Sequence, residues 1–311
     1  ITVAGSWTDT GAGTFTEQKG TVTFDVAGGT INSNETFNNV TINHAGTTTL
    51  GAALDVDGTL TITAGTLDVS ASNYGITVAG SWTDTGAGTF TEQSGTVTFD
   101  GSSGTQTLNA NEAFNNVTHS GASTLQLSTN NLTVGGAFTN SAGTFNANAL
   151  TNTVTGLATV SSGTYTASTA TQTFNGGLTV SGGTFTGSSG TVDVNGTVTL
   201  SSGTLTAPSG TFTVSGDWTK SGGTFTSGSN TVTFDGTSGQ TLNTGGTDTG
   251  SDFNNLTVNK SSGTLSLATN ALDVDDTLTV SSGTFSPGAL AVTTATLTVS
   301  GGTFTGGAGA V

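Results

Sequence analysis

The sequence predicts an all-β protein built as a single-stranded parallel β-helix, or β-solenoid, and three observations carry that prediction. Residues 1–25 recur almost letter for letter at 76–100, with Lys19 replaced by Ser94. The phrase G-T-(F/Y/L) returns with Thr144, Thr164, Thr184, Thr204 and Thr224, 20 residues apart each time. The composition favours strands: Thr and Val dominate, Gly numbers 49 and Pro 2, and helix formers such as Lys, Arg and Glu are scarce. Self-similarity at a fixed short period is the signature of stacked units that bury their apolar faces against one another.

One period shows how a coil is built. In 183–202, GTFTGSSGTVDVNGTVTLSS, three short strands stand out: TFT, TVDV and TVTL. Their leading threonines, Thr184, Thr191, Thr197 and then Thr204, are spaced 7, 6 and 7. Between them stand SSG and NG, turn sequences that supply positive φ where the chain bends. Side chains i and i+2 share a strand face. Phe185, Val192, Val194, Val198 and Leu200 therefore point inwards, and Thr184, Thr186, Asp193 and Thr199 outwards. Stacking places Phe145, Tyr165, Phe185, Leu205 and Phe225 in one column. Three strands per coil of about 20 residues give roughly fifteen coils over 311 residues. Left-handed β-helices keep hexapeptide steps, which this spacing does not match, and parallel crossovers are right-handed as a rule, so the expected hand is right.

The chain reads as one continuous solenoid over 1–311, with higher-order repeats starting near 1, 76 and 213 and plain 20-residue coils at about 123–212. The third copy, 213–235, keeps Trp218, Phe225 and Phe234 in step with Trp7, Phe15 and Phe24. The phrase FNN-(V/L)-T begins at Phe37, Phe114 and Phe253, in stretches (13–46, 88–122 and 223–262) that depart from the 20-residue step. Each of these reads as two coils with one enlarged corner. Alternation makes Trp7, Trp82 and Trp218 core residues. Asp9, Asp84 and Lys220, two positions on, would then face inwards as well, so the inward assignment is expected to fail there and the strand to end or bulge.

Charge excludes some functions. The net charge is −16, from 19 acids against three lysines and no Arg. Nucleic acids and anionic membrane surfaces need basic side chains to neutralise phosphates, so neither is an expected partner. No apolar run approaches the roughly 20 residues of a membrane helix. Cys is absent, which removes disulfides and thiolate metal sites and suits an extracellular life. Ile1 and the closing GGTFTGGAGAV both fall inside a repeat, so the chain reads as part of a longer solenoid or as a subunit stacking head to tail.

Few residues invite chemistry. The pairs Asp55-Val-Asp57 and Asp273-Val-Asp275 occupy equivalent coils, and alternation puts both carboxylates of a pair on the outer face, where they can hold a hard cation such as Ca²⁺. Asp55, Asp57, Asp273 and Asp275 are therefore the candidate metal ligands, and Ca²⁺ the one candidate cofactor, with Asp25, Asp100 and Asp235 placed to assist. The same acids also read as solvated turn residues, and the ordered ligands of an EF-hand loop are missing. Gly246-Thr-Asp248-Thr and Asp275-Asp276 are the nearest fragments to a glycosidase carboxylate pair, but no Arg accompanies them, and no enzyme is expected. His44 and His119 follow their FNN phrases at unequal distances and read as surface residues. Thr-x-Thr at 164/166, 184/186, 204/206 and 224/226 has the pattern of ice-binding solenoids, yet Thr decorates the other faces equally. Asn38-Asn39, Asn115-Asn116 and Asn254-Asn255 are expected to line a corner as stacked amides.

The phrases GTVTFDGSSGTQTL (95–108), FNNLTVNKSSGTLSL (253–267) and LDVDDTLTVSSGTF (272–285) resemble the β-strand repeats of bacterial surface proteins, including filamentous-haemagglutinin-like adhesins and autotransporter passengers. The resemblance is one of repeat style along the whole chain. It implies an extracellular solenoid serving as a stalk, fibre or filament, or alternatively an adhesin module that binds a glycan or a surface. It carries no ligand-binding residue onto this sequence.

Overall fold

The structure, a computed structural model, describes residues 1–9, 11–16 and 18–306. The chain forms two compact units, Ile1–Asn152 and Thr153 onward. Each is an all-β solenoid in which strands about 20 residues apart pair in parallel, and the two together hold about 15 turns.

The register follows the inward residues. In the second unit Gln172, Val192, Phe212 and Val232 stack on one face. Leu178, Val198 and Trp218 stack on the next, and Tyr165, Phe185, Leu205 and Phe225 on the third. The Tyr165 and Phe185 rings lie nearly parallel at 5.0 Å between centroids. In the first unit Phe37, Val56, Val78, Phe99 and His119 form one such column. Like stacks on like because the strands are parallel and in register, and each buried Phe contributes on the order of 2–3 kcal/mol. Corners are tight. Gly203 has φ +76° and sits so close to the Gly183 carbonyl that a Cβ would lie 2.1 Å from its oxygen, so this corner admits only glycine.

The FNN coils change the pattern of faces. Leu265 and Leu267 stack on Gln240 and Leu242, and Leu242 stacks on Trp218. The Thr264 phrase has thus moved one face away from the Thr224 column, where Phe225 instead donates its backbone N–H to Gly250 O. The inserted corner 244–252 takes up one strand position. The interval of 40 residues from Thr224 to Thr264, two periods, marks this displacement.

Two expectations about side-chain direction need correction. The strands Trp7–Asp9 and Trp218–Lys220 do end at the anticipated residues, and the register shifts between Asp84 and Ala87. The inward direction persists nonetheless: Asp84 is 1% exposed and Lys220 4%. Pleat geometry fixes where a Cβ points regardless of residue type, and Lys220 finds a partner there in Ser251 Oγ. His44 and His119, expected at the surface, are also buried. His119 occupies the same column as Phe99, one strand on.

Candidate functional site

Three equivalent places combine a Trp, two Phe and a polar partner. Trp7 meets Phe15 and Phe37 at 4.7 and 5.2 Å, Trp82 meets Phe90 and Phe114 at 4.9 and 5.2 Å, and Trp218 meets Phe225 and Phe253 at 4.9 and 5.1 Å. All but one of these contacts are edge-to-face, the arrangement that the ring quadrupole favours, and Trp218 on Phe253 is tilted. Trp82 and Trp218 are packing anchors, essentially inaccessible, and Trp7 is half-buried.

The FNN phrase supplies a second repeated device. Asn39, Asn116 and Asn255 each donate Nδ2 to Oδ1 of the preceding Asn at 2.8 Å. Their own Oδ1 atoms accept the backbone N–H of Thr59, Ala137 and Thr277 on the following coil at 2.8, 2.9 and 3.1 Å. The expected amide stacking is therefore a clamp from side chain to backbone between successive coils. In a solenoid every corner leaves N–H groups that no strand ladder uses, and these amides satisfy one at each FNN corner.

Buried polar chains gather at further corners. Gln106 donates Nε2 to Val78 O and Gly80 O, and accepts Ser123 Oγ at 2.6 Å. Gln240 repeats that pose, donating to Val214 O and Gly216 O. Its Oε1 accepts from Gly236 N and from the Lys260 ammonium, which also reaches Gly236 O. Burial pushes Lys260 below its ordinary value, with Asp235 and Asp217 acting in opposition. His119 Nδ1 donates to Asn140 Oδ1 at 2.7 Å. His44 Nε2 lies 2.7 Å from Thr48 Oγ1, and its Nδ1 accepts Gly46 N.

Burial also holds His119 below its ordinary 6.5, a direction that the Asn140 bond only partly offsets. The unfolded chain then takes up a proton that the folded one refuses. The His119 contribution to stability is expected to fall as pH drops through 6.5 towards the lowered folded value, and to level off below it. Thermal melts of the protein and of His119→Gln between pH 7.5 and 5 check this, because the difference between the two isolates that component.

The predicted Ca²⁺ ligands lie where alternation puts them. Asp55 and Asp57 are exposed, Asp273 is half-buried and Asp275 exposed. Val56 stacks on Phe37 and Val274 on Phe253, so the two pairs do occupy equivalent coils. Asp55 accepts Thr36 Oγ1 at 2.9 Å. Each pair has a further acid within electrostatic range. Asp100 is raised by burial and then by Asp55 and Asp57, with its own backbone N–H opposing. Asp252 is pushed up to about 6 by burial and then by Asp273, Asp275 and Asp248, against Lys220. Among the described residues no three His, Cys, Asp or Glu side chains converge to hold a metal ion. Two shallow surface grooves, of about 380 and 420 Å³, are lined by small and hydroxyl residues such as Thr47, Gly65 and Thr66, or Ser209, Thr211 and Thr231.

Comparisons of the chain with models of known families, with curated proteins and with solved structures give no match. What can be said of its role rests on its own residues. The buried polar corners were missed by sequence reading, although Gln106 and Gln240 stand at equivalent places before T-L-N, which was a usable signal.

Proposed function

We propose that this chain is an extracellular structural repeat protein, a stalk, fibre or filament of a bacterial cell surface, without catalysis. The observation that carries this reading is what the three copies share. The Trp–Phe–Phe cluster and the Asn clamp recur in all three. The side chain two places past the Trp changes from Asp to Lys. Devices that hold coil on coil recur in all three copies, while the Asp-Val-Asp pair is present only in the first and third and the Asp–Glu pair beside the Trp only in the first and second. Outward Thr, Ser and Asn keep the faces wet with little charge. Head-to-tail association or continuation into a longer chain is part of this proposal. Electron microscopy of the native material is the test: continuous fibres are expected, and isolated, monodisperse short rods would overturn the reading.

A binding module is the competing reading. Its specific support is the Thr-x-Thr set on successive strands Thr164–Thr166, Thr184–Thr186, Thr204–Thr206 and Thr224–Thr226, stacked in register. A glycan-array signal or thermal hysteresis would favour it.

A further inference from the structure

The carboxyl groups of Asp84 and Glu112 meet beside the Trp82–Phe90–Phe114 cluster. Neither carboxylate oxygen of Asp84 meets a donor, and Glu112 Oε2 is buried and equally without one. The two side chains are within hydrogen-bonding reach of each other. Two ionised carboxylates have no hydrogen to share, and setting the half-buried Glu112 charge against the fully buried Asp84 charge without a donor for either is costly.

Only a proton or a cation resolves this. No basic side chain stands on the strands around the pair, Leu60–Asp68, Trp82–Thr91 and Thr105–Asn109, or in the connection 110–113. The other acids there make matters worse or lie apart: Glu92 adds like charge, and Asp68 closes the far end of its strand. No third metal-ligating side chain joins the pair among the described residues.

We propose that Asp84 and Glu112 share one proton and act as a latch, fastening the corner before Phe114 to the Trp82 strand in acid and loosening it progressively as the pH rises through neutrality. The equivalent places elsewhere differ in a telling way. Glu112 lies two residues before Phe114, as Ser251 lies two before Phe253. There Lys220 Nζ donates to Ser251 Oγ at 2.8 Å, and Ser251 Oγ donates to Asp248 Oδ1 at 2.9 Å. That corner is held without any shared proton. The first copy keeps the two acids as Asp9 and Glu35, both half-buried.

Burial, the hydrogen bond that its carboxyl donates to Asp84 and the Asp84 charge push Glu112 up to about 8, against its own backbone N–H. The folded pair therefore holds a proton that the opened corner releases. The corner loses stability as pH rises from the ordinary carboxyl value of 4.5 towards about 8, and the loss levels off above that. Each pH unit inside the window shifts the opening equilibrium by up to about tenfold.

Hydrogen exchange of the full chain between pH 5 and 9, corrected for intrinsic rates, tests the latch. The wild-type amides at 83–91 and 110–114 are expected to open progressively with pH. In Glu112→Gln the carboxamide donates permanently to Asp84, so its opening is expected to be nearly constant. Parallel pH courses for the two proteins would overturn the proposal. So would restoration of the wild-type corner at pH 9 by millimolar CaCl₂, which would make the pair a cation site. Should the variant not fold, ¹³C titration of the wild-type carboxyls decides: Glu112 titrating near its ordinary value sinks the latch, and titration near 8 sustains it.

Discussion

Trp218→Ala is expected to cost about 3–5 kcal/mol, the range for deleting a large buried aromatic. Trp218 is 1% exposed and is the hub of its corner, touching Phe212, Phe225, Phe234 and Phe253. Its removal leaves a void that parallel strands pinned by ladders above and below cannot close. Solenoid stability is a sum of each coil and its nearest interfaces, so the loss should be local. Urea unfolding followed by hydrogen exchange is the measurement. Protection should fall in the strands stacked on Trp218, Val198–Thr206 and Gln240–Asn243. A uniform loss over the whole chain would contradict the repeat picture.

Gln240→Ala and Lys260→Met should have opposite consequences although the two side chains touch. Lys260 is fully buried, and its ammonium is satisfied by Gln240 Oε1 and Gly236 O. Taking away the Gln240 amide leaves that charge with Gly236 O alone and removes the donor to Gly216 O, while Val214 O keeps the Asp235 N–H. The expected cost is about 2–4 kcal/mol. Replacing Lys260 by Met removes the charge itself and keeps most of the volume, so the change should stay within about 1 kcal/mol of neutral and can be stabilising. Equilibrium denaturation of both single variants and of the double variant checks this. In the double variant most of the Gln240→Ala loss should be recovered, because the charge it abandoned is gone.

The contrast between these two residues shows where sequence reading reached its limit. Period, strand number and the inward set in TVDV or TVTL were legible because they depend on local alternation and on turn residues at fixed spacing. The Trp, Phe and Leu columns followed directly. His119, Asp84, Lys220 and Lys260 did not. Alternation placed Asp84 and Lys220 inside, and their polarity argued them out again. What decides the matter is the supply of corner carbonyls and amides from coils 20 or more residues away, such as Val214 O and Gly216 O for Gln240. No single-coil pattern records that supply. The acidic pairs were placed correctly on outer faces, yet their electrostatic link to Asp100 and Asp252 also depends on which coils become neighbours.

The Asn clamps bear on a hazard peculiar to such a chain. When successive coils are nearly alike, a strand can pair with the wrong neighbour, one whole turn out of place, and still bury Phe on Leu and Thr beside Thr. Such slippage costs little wherever the 20-residue pattern is plain, and a misregistered solenoid would be a deep kinetic trap. Asn39, Asn116 and Asn255 set the FNN turns apart from the plain ones, because each accepts the backbone N–H of Thr59, Ala137 or Thr277 at a corner where plain coils carry no Asn-Asn pair. They work as index marks on an otherwise monotonous ruler, telling the folding chain which turn it has reached.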